Sequence, residues 1–135
     1  MKYQLLTNWK YRLVETYTQK TDIKGMAFGT HYAALSPTGV LTILDDYAWD
    51  GASGPAFDTP TIMRGSLVHD CLYQLMRDGF LPRPYKDVAD NLLYQICIED
   101  GMWKARASWV LWAVKSFAKR SIEPEIKPEH PIVEV

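Results

Sequence analysis

The chain has few cysteines, no long apolar run and almost no net charge, and each shortage excludes a class of protein. The two cysteines, Cys71 and Cys97, form no Cys-x-x-Cys pair, so the sequence lacks a zinc-site signature. In a reducing compartment they are expected to be buried thiols rather than a disulfide. Fifteen basic and sixteen acidic residues give a net charge of −1. This balance predicts no global attraction to nucleic acid or to an anionic membrane, although local patches are compatible with it.

The N-terminal residues lack the apolar stretch of a signal peptide, and no apolar run approaches the roughly 18 residues of a membrane span. We therefore expect a cytoplasmic protein with no transmembrane segment. A length of 135 residues with 47% apolar and 23% charged residues is typical of one globular domain. That domain is expected to span residues 1–120, and residues 121–135, which contain three prolines, are expected to form an extended or mobile tail.

The N-terminal part of the chain is rich in aromatic and β-branched residues, which favour strands. Three strands are predicted, over residues 9–18, 26–35 and 40–44, with a turn at 36–39 before the third. His31 falls inside the second of them. A lone histidine in such a place is more often structural or exposed than a ligand.

Apolar residues three or four apart predict three amphipathic helices, over residues 60–78, 86–100 and 103–119. Thr59 and Pro60 have the residue types of an N-cap and a first helical residue. The loop between the first two helices is only about seven residues long, so these helices are expected to pack antiparallel. The predicted fold class is α+β: a small N-terminal antiparallel sheet, a glycine-rich loop and then three helices.

The first predicted helix contains a polar group, His69-Asp70-Cys71-Leu72-Tyr73, in a mostly apolar stretch. His69 and Tyr73 are four residues apart and share one helix face, with Asp70 about 100° further round. An imidazole, a carboxylate and a phenol are costly to bury without partners. A His-Asp pair that occurs alone is more often part of an ordinary core, where backbone groups hydrogen-bond to both side chains, than part of a functional site.

The stretch 45–55 contains two glycines, a proline, a serine and three aspartates, which predict a tight loop rather than a strand. Exposed carbonyls beside carboxylates are the ligands that calcium requires, and one loop often supplies several of them. A simple Asp-Gly turn leading into the helix is the alternative for these residues taken alone.

These motifs together resemble a family of small phage and prophage proteins catalogued as domain of unknown function 1353. The matching features are Trp49-Asp-Gly-Ala-Ser-Gly-Pro55, Ser66-Leu-Val-His-Asp-Cys-Leu-Tyr73, Ala89-Asp90 and an aromatic-rich last helix, within about residues 10–120. The resemblance implies a viral or prophage origin, with the host cytoplasm or the virion as location, and implies no reaction. A non-enzymatic member would be a structural or accessory protein that binds another phage protein through its C-terminal tail.

A more distant resemblance, to secreted phospholipases A2, carries chemistry. Those enzymes have a glycine-rich calcium loop, a helix with His-Asp-x-x-Tyr and an aspartate on a second, antiparallel helix. This chain has Asp50-Gly51-Ala52-Ser53, then His69-Asp70-Cys71-Leu72-Tyr73, then Asp90, in the same order. The resemblance implies hydrolysis of phospholipid or of another acyl ester.

The resemblance also implies a role for each matching residue. His69 would be the general base, oriented by Asp90. Ca²⁺ would be the cofactor and would polarise the ester carbonyl. Its ligands would be Asp70, Asp50 and Gly51. Supporting positions would be Tyr73, Tyr94, Ser53 and Gly54, with the two tyrosines placed to hydrogen-bond Asp90.

The sequence departs from the phospholipases in several respects: an N-terminal sheet is predicted in place of their usual lead-in, and no long apolar surface for a lipid interface is evident. Cys71 precedes Leu72, whereas the cysteine of the phospholipase helix directly precedes the tyrosine, and the disulfide framework of the secreted enzymes is missing.

A third interpretation is a metal-dependent phosphohydrolase. Those enzymes use a histidine, a His-Asp pair and a distant aspartate, and His31, His69-Asp70 and Asp90 occur in the same order here. The first histidine of those enzymes usually lies on a helix, whereas the residues around His31 are predicted to form a strand.

Overall fold

The computed structural model describes residues 1–7, 10–50 and 59–117, and within them seven strands are followed by three α-helices. All strand pairs are antiparallel, which confirms the α+β class. The strands are β1 (Tyr3–Thr7), β2 (Lys10–Leu13), β3 (Tyr17–Lys20), β4 (Phe28–Gly29), β5 (Ala33–Leu35), β6 (Val40–Ile43) and β7 (Ala48–Asp50). The helices are α1 (Pro60–Arg77), α2 (Lys86–Glu99) and α3 (Lys104–Phe117).

The strands form two sheets, a three-stranded one in the order β1-β2-β7 and a four-stranded one in the order β3-β6-β5-β4. The single strand predicted over 9–18 is therefore wrong, because β2 and β3 belong to different sheets. The backbone of Leu13 is hydrogen-bonded to Tyr47 and Asp46, in the connection between β6 and β7. The chain then bends before β3 pairs with β6.

The strand predicted over 26–35 is also two strands, β4 and β5, which form a hairpin. The Thr30 hydroxyl accepts hydrogen bonds from the backbone N–H groups of Tyr32 and Ala33, and such local side-chain bonds replace a strand ladder with a turn. His31 lies exposed in this turn and not in a strand. The strand predicted over 40–44 is confirmed as β6.

Strand β7 lies within the stretch that was predicted to be a loop. Ala48 and Asp50 are exposed, whereas Trp49 between them is buried and donates from its indole Nε1 to Ser66 Oγ at 3.1 Å. This alternation and the pairing with β2 make the segment a strand despite its aspartates. Gly51, Ser53 and Gly54, and the tail over 121–135, lie outside the described residues.

The helix bounds agree with the sequence predictions to within about two residues wherever both helix ends are described. Thr59 occupies the N-cap position of α1 and Pro60 follows it, but the Thr59 hydroxyl contacts Thr61 rather than capping the backbone. Gly79 and Gly101, with φ of 82° and 96°, lie just beyond α1 and α2 in a conformation that favours glycine. None of the helices in the described ranges has the length and apolarity needed to cross a membrane.

Helix α1 lies between the sheets and α2. On the sheet side, the Tyr47 hydroxyl donates to Gln74 Oε1 at 3.0 Å. On the other side α1 and α2 pack antiparallel, as predicted, since Arg64 near the start of α1 binds Asp100 just beyond the end of α2. Gly65 permits this close approach: a Cβ there would lie 2.8 Å from Leu93 Cδ1 and 3.3 Å from Cys97 Sγ.

The close packing at Gly65 predicts that Gly65→Val will destabilise the fold by about 1–3 kcal/mol, the usual cost of overpacking. Ser116→Val, at an exposed position of α3, controls for the cost of a β-branched residue in a helix. Urea unfolding measures both. Adding Leu93→Ala should reduce the effect of Gly65→Val, and additive losses would contradict a contact between the two residues.

Candidate active site

The side chain of Asp90 is the centre of a buried polar cluster between α1 and α2. Its Oδ1 lies 2.8 Å from His69 Nε2 and accepts a hydrogen bond from the Tyr73 hydroxyl at 2.5 Å. Its Oδ2 accepts a hydrogen bond from Lys86 Nζ at 2.7 Å. Asp90 is fully buried and His69 is only 6% exposed. The predicted contact between His69 and Asp90 is thus confirmed.

Lys86 was not predicted to be part of the site. Its spacing of four residues from Asp90 on one helix is the signal that was available. Such pairs usually lie on a solvated face, whereas here the lysine side chain is mostly buried. Its Nζ also lies 3.4 Å from the carbonyl oxygen of Val114, so it connects the cluster to α3.

The ionisation of Asp90 follows from these contacts. Burial by itself raises the pKa of a carboxyl, but hydrogen bonds from His69, Lys86 and Tyr73 outweigh it and lower the pKa of Asp90 to about 2. The Lys86 ammonium provides the counter-charge. Asp90 is therefore a carboxylate near pH 7 and can only accept hydrogen bonds.

An ionised Asp90 determines the tautomer of His69. Since the carboxylate cannot donate, His69 Nε2 must carry the proton of their hydrogen bond, and in the neutral imidazole Nδ1 then holds the lone pair. No described residue donates a hydrogen bond to Nδ1. The imidazole also packs against the Tyr73 ring, with centroids 4.0 Å apart. The arrangement provides a fixed imidazole with a basic nitrogen.

The two tyrosines differ in their contacts. Burial and the bond to Asp90 raise the pKa of Tyr73, so its hydroxyl stays protonated and remains a donor. Tyr94, which was expected to assist, packs against the apolar cluster that includes Leu93 and Cys97. Among the described contacts of Asp90, the only phenol is that of Tyr73.

Asp70 faces a different direction from His69 because the two are consecutive on a helix. Its carboxyl is partly exposed but mostly enclosed by protein, and burial raises its pKa well above the ordinary value. Repulsion from Asp50 at the end of β7 adds to this effect, whereas Arg77 opposes it. Asp50 is thus near enough to repel an ionised Asp70, and a cation bound by both carboxylates would relieve this repulsion.

The predicted calcium site extends beyond the described part of the chain. Within residues 1–7, 10–50 and 59–117, no three His, Cys, Asp or Glu side chains are grouped as metal ligands. The predicted ligand set also needs backbone oxygens at Gly51, which lies outside these ranges. Calcium binding therefore stays a prediction, and the electrostatic repulsion between Asp50 and Asp70 is compatible with it.

His31 does not join this cluster. It lines a separate cleft of about 300 Å³ beside Tyr32, Asp45, Asp46 and Gln74. Asp90 and His69 are not among the lining residues of that cleft, since they contact each other between α1 and α2. The contacts therefore do not support the grouping of His31, His69 and Asp90 that the phosphohydrolase interpretation requires.

No family model, curated protein or solved structure matches the chain. The resemblances to the phage family and to phospholipases A2 therefore depend on the motifs alone and stay predictions. The chemistry of the site has to be argued from its own geometry.

The lowered pKa of Asp90 predicts an acid-labile contribution to stability. The folded value, about 2, lies below the unfolded value of 3.8, so the ionised group stabilises the fold. This contribution is complete above pH 3.8, is lost as the pH falls towards 2, and amounts to about 2 kcal/mol. Urea unfolding at pH 5 and pH 2 tests it. The difference between wild type and Asp90→Asn should shrink at pH 2, and a constant difference would contradict it.

Replacing Asp70 or Asp90 with asparagine should change stability in opposite directions at pH 7 in the presence of a chelator. Asp70→Asn should raise Tm, because a carboxyl whose folded pKa is raised opposes folding when ionised. Asp90→Asn should lower the free energy of unfolding by about 3 kcal/mol, because Lys86 loses its counter-charge. Thermal and urea unfolding measure both variants. A shift of the same sign in both would refute the contrast between the two sites.

Proposed function

We propose that the protein is a calcium-assisted hydrolase of acyl esters, with phospholipids as the expected substrates and His69 as the general base. The hydrogen bond between His69 Nε2 and the ionised Asp90 is the observation that supports this proposal. It leaves the Nδ1 lone pair as the acceptor for a proton from water. His-Asp pairs activate water or hydroxyl nucleophiles in this way on unrelated folds.

The proposed hydrolysis needs one general base, which takes a proton from water and later returns it to the leaving alcohol. Water transfers a proton to His69 Nδ1 as its oxygen bonds to the ester carbonyl carbon. The tetrahedral intermediate then breaks its bond to the alcohol oxygen, which takes the proton back from Nδ1. The net result is conversion of ester and water into carboxylic acid and alcohol.

Asp90 acts by keeping the imidazole in place and by stabilising its charged form during turnover. Its low pKa means that it stays ionised and does not take the proton itself. Tyr73 fixes the same carboxylate oxygen that contacts His69, and Lys86 holds the other one. These three are orienting residues rather than reacting groups.

A calcium ion would be held by Asp70 and Asp50 with backbone oxygens of the loop that includes Gly51. Burial raises the pKa of Asp70 and repulsion from Asp50 adds to the rise; this repulsion is the feature of the described residues that fits a cation. Bound calcium would supply positive charge for the developing oxyanion. Millimolar Ca²⁺ should raise the Tm of wild type and not that of Asp70→Asn.

A non-enzymatic role is the second candidate, and one observation favours it. The described hydrogen bonds of the cluster join α1 to α2 and, through Lys86, α2 to α3, and Asp90 has no exposed surface. In that case His69, Tyr73 and Asp90 hold α1 against α2 in a structural or accessory protein, in keeping with the phage-family resemblance.

His69→Gln separates the two candidates. If His69 is the base, the variant should lose about 10²- to 10⁴-fold in calcium-dependent hydrolysis of phosphatidylcholine or a short-chain acyl ester. Its stability should fall by only about 1 kcal/mol, since glutamine can still donate to Asp90. His31→Gln, at the exposed turn, is the matched control and should keep full activity.

The opposite result would support the structural role. Wild type would then show no turnover at any calcium concentration, with chelator as the baseline. His69→Gln would be destabilised by on the order of 1–3 kcal/mol, because buried polar atoms would lose their partners.

A further inference from the structure

Two side-chain hydrogen bonds join the segment at β7 to helix α1. The indole Nε1 of Trp49 donates to Ser66 Oγ at 3.1 Å. The Tyr47 hydroxyl, just before β7, donates to Gln74 Oε1 at 3.0 Å. Asp70 lies midway between Ser66 and Gln74 on α1, four residues from each. Residues four apart in a helix share one face, so the two bonds lie on either side of Asp70 along that face.

The bond between Trp49 and Ser66 lies in the interior of the protein. Trp49 is 3% exposed and Ser66 is 5% exposed. The Ser66 hydroxyl donates its own hydrogen to the Met63 carbonyl oxygen at 2.9 Å, so its oxygen is available as the acceptor for the indole N–H. A buried N–H without an acceptor is costly, and this requirement favours one position of β7 along α1.

Apolar packing defines this position less sharply than the hydrogen bond does. Trp49 belongs to the same buried apolar cluster as Met63 and Leu67 of α1, and apolar burial has no preferred direction. On the sheet side, the Trp49 ring packs against Tyr11 of β2, with ring centroids 5.6 Å apart. The indole is thus part of the three-stranded sheet, and its bond to Ser66 is a directional contact between that sheet and α1.

This contact also limits the separation of two carboxylates. Asp50 directly follows Trp49 in β7, and Asp70 follows Ser66 by about one helical turn. Neighbouring strand residues are about 3.3 Å apart, and residues four apart on a helix have Cβ atoms about 5–6 Å apart. Repulsion from Asp50 reaches Asp70. Any shift of Trp49 away from Ser66 would therefore move Asp50 relative to Asp70.

We propose that Trp49 and Ser66 are positioning residues that hold Asp50 and Asp70 in the arrangement that one divalent cation needs. The inference rests on the proposed function, since the cation is the calcium ion proposed there. Neither residue is a ligand, and both act through the backbone of β7 and α1. Replacing residues that orient metal ligands typically lowers metal affinity by about 10- to 100-fold.

Calorimetric titration of the full chain with calcium chloride tests the proposal. Ser66→Ala removes the acceptor of the indole N–H and should raise the Kd for calcium by about tenfold. Trp49→Phe removes the donor and should cause a similar loss. The double variant Trp49→Phe/Ser66→Ala should lose no more than the weaker-binding single variant, because both changes break the same bond.

Tyr32→Phe is the matched control. It removes another hydrogen bond between the sheet region and α1, from the Tyr32 hydroxyl to Asp78 Oδ2 at 2.7 Å, just beyond the end of the helix. This bond starts from the turn between β4 and β5 and not from β7, so its loss should leave the Kd for calcium unchanged. Urea unfolding of the control and of Ser66→Ala shows whether any loss of affinity merely follows stability.

The indole N–H signal of Trp49 in NMR spectra provides a readout that a merely structural role would not change. The signal is identified by its absence in Trp49→Phe. Calcium should shift it in wild type and in Tyr32→Phe, because Asp50 is the next residue along the strand. Ser66→Ala should lose most of this response at the same calcium concentration.

A measurement in chelator tests the positioning without calcium. Asp50→Asn and Asp70→Asn should have non-additive effects on the free energy of unfolding, because each relieves the same repulsion. In the Ser66→Ala background this non-additivity should fall by about half or more, because the two carboxylates are no longer held at one separation. The Tyr32→Phe background should retain it.

Three results would overturn the proposal: a wild-type Kd for calcium in Ser66→Ala, additive losses from Trp49→Phe and Ser66→Ala, and unchanged coupling of the two carboxylates in Ser66→Ala. Absence of calcium binding by wild type would overturn this inference together with the calcium part of the proposed function. Calcium binding that depends on Ser66, without any ester hydrolysis, would refute the hydrolase and support the positioning role.

Discussion

A fully buried carboxylate is tolerated only if donors compensate its lost hydration, and Asp90 imposes this condition on all three helices. His69 and Tyr73 come from α1 and Lys86 from α2, while Lys86 also reaches the Val114 carbonyl of α3. The donors cannot move apart without leaving a buried charge. The cluster therefore specifies the packing of α1 on α2, and the close approach at Gly65 becomes part of the same requirement.

Asp70 and Asp90 show how environment divides one residue type into two functions. Three donors lower the pKa of Asp90, whereas burial and the neighbouring Asp50 raise that of Asp70. The first carboxylate already has its positive partner, the Lys86 ammonium. The second is opposed by another carboxylate and is only partly relieved by Arg77. This difference supports a positioning role for Asp90 and a cation-binding role for Asp70.

Much of the helical part could be predicted from the sequence, for local reasons. Apolar spacing repeats through α1 and α2, and Gly79 and Gly101 mark their ends, so the bounds follow from neighbouring residues. The short connection between these helices then brings His69 to Asp90 once both lie on the inner faces. Lys86 was missed because a lysine four residues before an aspartate has the same spacing on a surface as in an interior.

The strands were less predictable because their partners lie far along the chain. Nothing near Leu13 indicates that β2 will pair with β7 while β3 pairs with β6. The raised pKa of Asp70 likewise depends on Asp50, which reaches α1 only because β7 forms in a stretch with loop composition. Neither the strand pairing nor the pKa of Asp70 can be predicted from local periodicity, since both depend on tertiary pairing.

Helix α3 contributes to the Asp90 cluster through its backbone. Lys86, which holds Asp90, also lies 3.4 Å from the Val114 carbonyl oxygen of α3. Ala107 and Val110 of α3 are buried in the apolar cluster that also contains Leu93 of α2. Apolar packing thus fixes the position of α3, and the Val114 carbonyl gives the buried Lys86 ammonium an acceptor in addition to Asp90. A loss of packing at α3 would therefore leave the Lys86 ammonium with one acceptor fewer and weaken its hold on the buried carboxylate.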